Sequence, residues 1–448
     1  MYCCTSGTRA RSSGRPDLDF VALPGTGRYR LENLVAPACL MGQPGAGFVP
    51  APVTVADGRI VDGPAETVLD MGGRIRLPLG VDMHTHLDKG HIWPRAANLD
   101  GSFDGALATV GADRAANWSA EDVRARMEFS LRCAWAHGTR AIRTHLDSLA
   151  PQDAISWPVF DEVRADWAGR IALQAACLVP VDMVEDGGEF RVLADRVQTC
   201  GGVLGCVAFP VPDLDHRLDA FFRMAMARGL KADFHVDETL DPDSTALDAI
   251  ARSVLRTGFG PGVVVGHCCS LSTQDAGVAE RTLDRVAEAG IAVVSLPMCN
   301  LYLQDRQRGR TPRYRGITLV HEMRARGIPV AFASDNTRDP FYAYGDMDLL
   351  EVLREATRIG HLDHSRGDWA ATVSAAPADI CGFAPVEMTA GPADFVLLNA
   401  RSWTEAFARP QADRVVVRRG RAIDRTLPQY SELDALMETT CQPTSQAR

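Results

Sequence analysis

Val81-Asp82-Met83-His84-Thr85-His86-Leu87-Asp88 closes an apolar run that begins at Ile75, and the reading of the chain starts there. Residues two apart in an extended strand point to the same side, so His84 and His86 can both face one point at the end of that run. Two surface or hydrogen-bonded histidines would produce the same spacing, so the pair acquires meaning only from its surroundings. Further short apolar runs follow at Thr139 to Thr144, Ile171 to Leu178, Val203 to Phe209, Leu230 to Phe234, Val263 to Gly266, Ile291 to Leu296 and Pro329 to Ala333. Helix-length amphipathic segments such as Glu121 to His137 and Ser272 to Ala289 separate most of them. Alternation of this kind predicts parallel βαβ units, and eight repeats predict a (β/α)8 TIM-type barrel.

In such a barrel the chemistry sits at the C-terminal ends of the strands. The first run ends in His84-Thr85-His86, the fifth in His235-Val236-Asp237-Glu238, the sixth in His267 and the eighth in Asp335-Asn336. Imidazole and carboxylate together suit a divalent ion, and an ion with an open position lowers the pKa of a water toward neutrality. Glu238, three residues beyond His235, is placed to move a proton between that water and a substrate. The expected chemistry is therefore metal-assisted hydrolysis of a small molecule.

Short β-type runs flank the central region, at Tyr29 to Val35, Val53 to Val55 and Arg59 to Val61, and again at Ala393 to Asn399 and Arg414 to Arg418. They predict a small β-sandwich built from both chain ends. The expected boundaries are residues 29–78 and 386–430 for the sandwich, 79–385 for the barrel, and disordered tails at 1–28 and 431–448. Met1 to Arg15 lacks the apolar centre of a secretory signal and reads as a tail or a misplaced start.

With 47 basic and 57 acidic residues, the net charge of -10 disfavours nucleic acid and anionic membranes as partners. Only Lys89 and Lys231 are lysines. The 12 cysteines form no CxxC pair and no disulfide framework, which fits a cytoplasmic protein. No apolar stretch is long enough to span a bilayer.

The motifs, taken in order, resemble the amidohydrolase superfamily and specifically its cytosine deaminase branch. Beside the first stretch they are Arg143-Thr144-His145-Leu146-Asp147, Phe234-His235-Val236-Asp237-Glu238, Gly266-His267, Pro297-Met298-Cys299-Asn300-Leu301-Tyr302-Leu303, Arg315-Gly316-Ile317-Thr318 and Ser334-Asp335-Asn336 through Asp339-Pro340-Phe341. The resemblance implies that His84, His86, His235 and Asp335 hold one divalent ion, Fe2+ or Zn2+. It implies that His267 polarises the attacking water, that Glu238 shuttles protons and that Asp335 assists as a base. Gln174 matches a glutamine whose amide reads the heterocycle's edge. The implied reaction is hydrolytic deamination of cytosine or a related amino-heterocycle, with hydrolysis of an N-substituted amino-triazine or a cyclic amide as the alternative. The family also implies a homo-oligomer.

Departures from the family pattern bear on the metal count and on the substrate. No lysine ends the fourth run, Val203 to Pro210, so a lysine-bridged pair of metals is not expected. Asn336 stands where a second aspartate is usual, and Phe341 where a tryptophan is usual; both are expected at the substrate. Lys89 and His91, in Asp88-Lys89-Gly90-His91, resemble variants that act on amino-triazines, and Lys89 is expected either to bind substrate or to neutralise Asp88. His145 and Asp147 are placed equally well to face the pocket or to pack inside the barrel, whereas Trp93 and Trp157 are expected to pack.

Overall fold

A computed structural model of the chain describes residues 20–43, 45, 47–364, 369–409 and 413–438. Its centre is an α/β region of eight parallel strands: β1 (Gly80–Thr85), β2 (Thr139–Asp147), β3 (Ala172–Leu178), β4 (Leu204–Ala208), β5 (Ala232–Val236), β6 (Val263–His267), β7 (Ala292–Ser295) and β8 (Val330–Phe332). One parallel sheet has the order β3-β2-β1, the other β4-β5-β6-β7-β8. Isolated parallel bridges link both margins. Ala176 in β3 pairs with Val203, just before β4, and Thr85 at the end of β1 pairs with Asp335, just after β8. The second link carries a hydrogen bond from the Asp335 amide to the His84 carbonyl at 2.9 Å, which brings two expected metal ligands together through the backbone.

The first apolar run divides in two. Ile75–Pro78 joins a six-stranded sheet, and only Gly80–Thr85 belongs to the parallel region. Pro78 cannot donate to a continuing ladder. At Gly80 the Leu349 side chain packs so closely that a Cβ would meet its Cδ1 at 2.5 Å, so the chain turns over that leucine.

Strands from both chain ends pair in one sheet. In the six-stranded sheet, Phe395–Leu398 lies antiparallel to Ile75–Pro78, with Val396 opposite Leu77. A four-stranded sheet combines Tyr29–Glu32 with Val53–Ala56, Arg59–Val61 and Thr67–Asp70. Tyr29, Leu31, Val53 and Val55 from the four-stranded sheet share an apolar cluster with Phe395, Leu397, Val415 and Val417 from the other.

Parts of the expected tails are ordered. Phe20, Val21 and Leu23 pack on that terminal cluster. Tyr430–Leu433 and Asp434–Met437 form short helices, with Leu433 buried and Glu432 paired to Arg132 at 2.7 Å. Residues 1–19, with Met1 to Arg15 among them, and 439–448 lie outside the described residues.

Two helices follow β1 before the chain returns to β2. Ser102 caps α1 (Phe103–Asn117) by accepting from the Gly105 amide at 2.9 Å, and Ser119 caps α2 (Ala120–His137) through the Asp122 amide at 3.2 Å. A buried ionic cluster fixes both. Arg95 reaches Asp113 of α1 at 2.9 Å and Asp122 of α2 at 2.6 Å, and Arg126 holds Asp122 at 2.7 Å.

Candidate metal centre

Left-handed backbone at strand ends aims the site's side chains. His267 has φ 69° and Asp335 φ 61°, with Asp237 at φ 49° in the loop beyond β5. Such conformations cost free energy in non-glycine residues and persist where the surrounding structure determines them. Asp237 shows how: its carboxylate accepts from Ser244 Oγ at 2.7 Å and from the Ala246 and Leu247 amides at 3.0 and 2.9 Å, clamping the loop that carries Glu238. Gly266, just before His267, has no room for a side chain, because a Cβ would lie 2.9 Å from Cε1 of His84.

Three imidazole nitrogens converge. Nε2 of His235 lies 3.0 Å from Nε2 of His84 and 3.2 Å from Nε2 of His86. Asp335 Oδ1 completes the group, 3.2 Å from His86 Nε2 and 3.6 Å from His84 Nε2. Burial holds all three imidazoles well below their ordinary pKa, with neighbouring charged groups adding to the effect. They are therefore neutral, and the Asp335 contacts are not ion pairs. An Nε2–H could serve one neighbour only, so lone pairs still face one another, and neither carboxylate oxygen of Asp335 has a hydrogen-bond partner. Convergent, unsatisfied acceptors in a dry site call for a cation. Bonds of about 2.0–2.1 Å from a tetrahedral ion would set its ligand atoms about 3.4 Å apart, which matches the observed spacing.

Around that cluster, His267 places Nδ1 3.0 Å from Asn300 Nδ2 and 3.3 Å from Glu238 Oε1, while its Nε2 has no partner. Burial holds His267 down at about 3. Asn300 also reaches Glu238 Oε1 at 3.4 Å, and Gln304 donates to the Glu238 carbonyl at 3.1 Å. Burial, reinforced by Asp335, pushes the Glu238 carboxyl well above its ordinary range. Gly316 lets its own segment approach, since a Cβ there would meet the Asn300 carbonyl at 2.7 Å. The roles of Asn300 and Gln304 were not anticipated, although Asn300 and Gly316 stand within quoted motifs.

A cavity of about 770 Å³ opens above these groups, lined by His86, His235, His267, Glu238, Lys89, Asn336 and Phe341 among others. Asn336 donates to Asp339 at 2.7 Å, and Phe341 meets Phe103 edge to face at 5.6 Å between centroids. Lys89 makes no direct ion pair with Asp88, although the two charges act on each other. Lys89 pairs with Asp147 at 3.1 Å and stands 5.1 Å over the Phe341 ring. Asp147, which also lines the cavity, receives Arg114 of α1 at 2.8 Å. Sequence reasoning missed α1 as a wall of the cavity. Its signal was present in the spacing of Phe103, Leu107, Val110 and Arg114, all of which line the cavity along one helical stripe.

Gln174 requires a correction. It sits near the start of β3, where it accepts from Arg143 Nε and Nη2 at 3.2 and 3.1 Å and donates to the Cys381 carbonyl at 3.3 Å. It is absent from the cavity lining, where β3 presents Leu178 followed by Val179 and Pro180. Position along a strand, not residue type, decides which end of the sheet a side chain serves. His145 lies inside, fully buried, its ring 4.0 Å from that of His84. Trp157 is packed, donating to Ser148 at 3.1 Å.

A profile described as "Amidohydrolase family" matches residues 162–427. The chain is also 54% identical over 431 residues to a protein named pterin deaminase from Rhizobium rhizogenes, covering 93% of this chain and 99% of that protein. The chain belongs to the amidohydrolase family. It is accordingly a hydrolase of carbon–nitrogen bonds other than peptide bonds. Among solved structures, 5-methylcytosine deaminase from Klebsiella pneumoniae superposes with a TM-score of 0.72 at 23% identity, over 89% of this chain and 98% of that one. N-isopropylammelide isopropylaminohydrolase from Burkholderia multivorans gives 0.69 at 24% identity, over 90% and 100%. Among the described residues, no helix is long and apolar enough to cross a membrane.

Proposed function

We propose that this amidohydrolase deaminates a flat bicyclic amino-heterocycle of the pterin class. The observation that carries the reading is 54% identity along 93% of the chain to a protein named pterin deaminase. The cavity supports it, because about 770 Å³ exceeds the need of a single pyrimidine ring and an apolar wall of Phe103, Leu107, Val110 and Phe341 suits an aromatic face. In this reading the two bridged parallel sheets close as one (β/α)8 barrel over residues 79–385, and the two terminal sheets form a β-sandwich from 29–78 and 386–430.

His84, His86, His235 and Asp335 would hold one divalent ion, Fe2+ or Zn2+, which when bound supplies Lewis acidity toward a water. The chain's own residues do the rest. Glu238, buried and with its carboxyl pushed up, takes one proton from the water and gives it to the ring nitrogen; the second proton, released as the carbon–oxygen double bond forms, passes to the departing amine with Asp335 assisting as base. Oxygen of water bonds to the amino-bearing carbon, the carbon–nitrogen bond breaks, and ammonia leaves. His267, held by Asn300, orients the water, and Asn336 meets the heterocycle with an uncharged amide. The absence of a disulfide among the described cysteines supports a reducing, cytoplasmic setting.

The test is ammonia release by metal-loaded protein over pterin, cytosine, 5-methylcytosine, isocytosine and N-isopropylammelide. Pterin is expected to give the highest kcat/KM, with mass spectrometry showing exchange of the amino group for oxygen. Turnover of cytosine with none of pterin would reject the substrate class, and loss of isopropylamine from N-isopropylammelide in place of ammonia release would reject deamination.

A further inference from the structure

The imidazoles of the metal centre belong to two overlapping donor sets. One is His84, His235, His267 and Asp335; the other is His84, His86, His145 and His235, whose ligand atoms all lie within 4.8 Å of one another. The second set contains no carboxylate. His145 reaches it from β2, on the inner side of the cluster, with its ring 4.0 Å from that of His84 and 4.7 Å from that of His235.

Among the described residues nothing else satisfies His145. Its side chain is fully buried, and neither ring nitrogen has a hydrogen-bond partner. Asp233 Oδ1 stands 3.2 Å from Nε2, yet without the alignment of a hydrogen bond, and that oxygen is itself unsatisfied. Asp233 spends its other oxygen on Arg143 at 2.9 Å. A buried imidazole kept only for packing would leave its desolvation uncompensated. A carboxylate beside an imidazole is, by contrast, the usual support of a metal-binding histidine, raising its basicity.

We infer that His145 completes a second seat for an ion, made of four imidazoles, which takes a nitrogen-preferring divalent ion such as Cu2+ and competes with the seat that includes Asp335. Because both seats use His84 and His235, one ion occupies one or the other. Imidazole suits copper as it suits zinc, iron and nickel, and the ordinary affinity order of divalent metals places Cu2+ above them. An ion in the inner seat is not ligated by Asp335, so copper loading yields a metal-filled protein without deaminase activity. The inference rests on the reading that the cluster binds metal.

Metal-depleted full-length protein is loaded with one equivalent of Cu2+, and the coordinated imidazoles are counted by electron paramagnetic resonance and electron spin echo modulation. Four are expected in the wild type and three in His145→Gln, with Cu2+ affinity at least about tenfold weaker in that variant. Asp335→Asn should leave the wild-type spectrum unchanged. Three imidazoles in the wild type, with a spectrum that shifts in Asp335→Asn, would overturn the second seat while leaving the metal reading intact. Failure of the wild type to bind copper at all would overturn both. Should His145→Gln not fold, the wild-type count and Asp335→Asn still decide.

Discussion

Arg143 and His145 lie two residues apart on β2 and flank the same carboxylate, Asp233, yet their hydrogen bonding differs sharply. Arg143 is fully buried yet saturated: Nη1 holds Asp233 at 2.9 Å, Nε and Nη2 hold Gln174, and Nη2 also reaches the Cys381 carbonyl at 3.4 Å. His145, like His84, His86, His235, His267 and Asp335 toward the C-terminal ends of the strands, keeps polar atoms without a partner. A protein interior tolerates buried polar groups when they are paired and penalises them when they are not. The satisfied layer is therefore structure. The unsatisfied groups at the strand ends are the candidate site, and it is their convergence that marks it, since isolated unpaired atoms such as Nε of Arg76 occur elsewhere too.

The sharpest way to break this contrast is at Glu238, which borders the unsatisfied groups, accepts from Asn300 and is not one of the expected metal ligands. Glu238→Gln keeps the shape and removes the proton carrier, so kcat should fall by about 10²–10⁴-fold with metal content, by elemental analysis, unchanged. Retained turnover would show that the carboxyl is only a buried acid. The converse experiment is Arg143→Leu. It strands the Asp233 carboxylate, and loss of one partner of a buried pair costs about 3–5 kcal/mol. Urea unfolding should register that loss while the folded fraction binds metal normally. A variant that is stable but metal-free would place Arg143 with the site and dissolve the distinction.

Much of this was legible in the sequence, for identifiable reasons. The apolar runs carried the strand order, and His84, His86, His235, His267 and Asp335 each follow such a run directly, so depth along the strand needed no estimate. Gln174 was misread because it lies inside its run, where a polar residue faces either end of the sheet with equal ease; only the hydrogen bonds to Arg143 and Cys381 reveal which. Ile75 to Met83 read as one strand because its break depends on Leu349, far away in sequence. The cavity wall on α1 is a tertiary fact too: Leu107 is 57% exposed, so its stripe looks like an ordinary solvated helix face until the cavity behind it is seen.

Gln174 offers a smaller and more specific test. Gln174→Leu removes the acceptor from a buried guanidinium, which should cost about 1.5–3 kcal/mol in urea unfolding, the range for hydrogen bonds to charged groups. KM for the heterocycle should not move. A KM increase without a stability change would return Gln174 to the substrate and reverse the assignment made from its bonds.

The smallest effect probes whether satisfied buried charge also governs the junction between the terminal sheets and the parallel region. Asp348 caps the helix Leu349–Gly360 through the Leu350 amide at 3.0 Å, accepts from Arg414 of the six-stranded sheet at 2.9 Å and lies 3.6 Å from His137 at the end of α2. Burial alone would raise its pKa, but Arg414 and His137 together outweigh burial and hold the folded carboxyl below its ordinary range. A carboxyl with a lowered folded pKa contributes stability above the unfolded value of about 4 and loses it as pH falls from there toward the folded value. Asp348→Asn carries no such titration. The wild type should therefore be the more stable protein at neutral pH, and its advantage should shrink below about pH 4 by at most about 1.4 kcal/mol per pH unit. A gap that stays constant through that window would mean that the junction is held by packing around Leu349 and Leu350, and that charge satisfaction distinguishes the two ends of the parallel strands without extending to the rest of the fold.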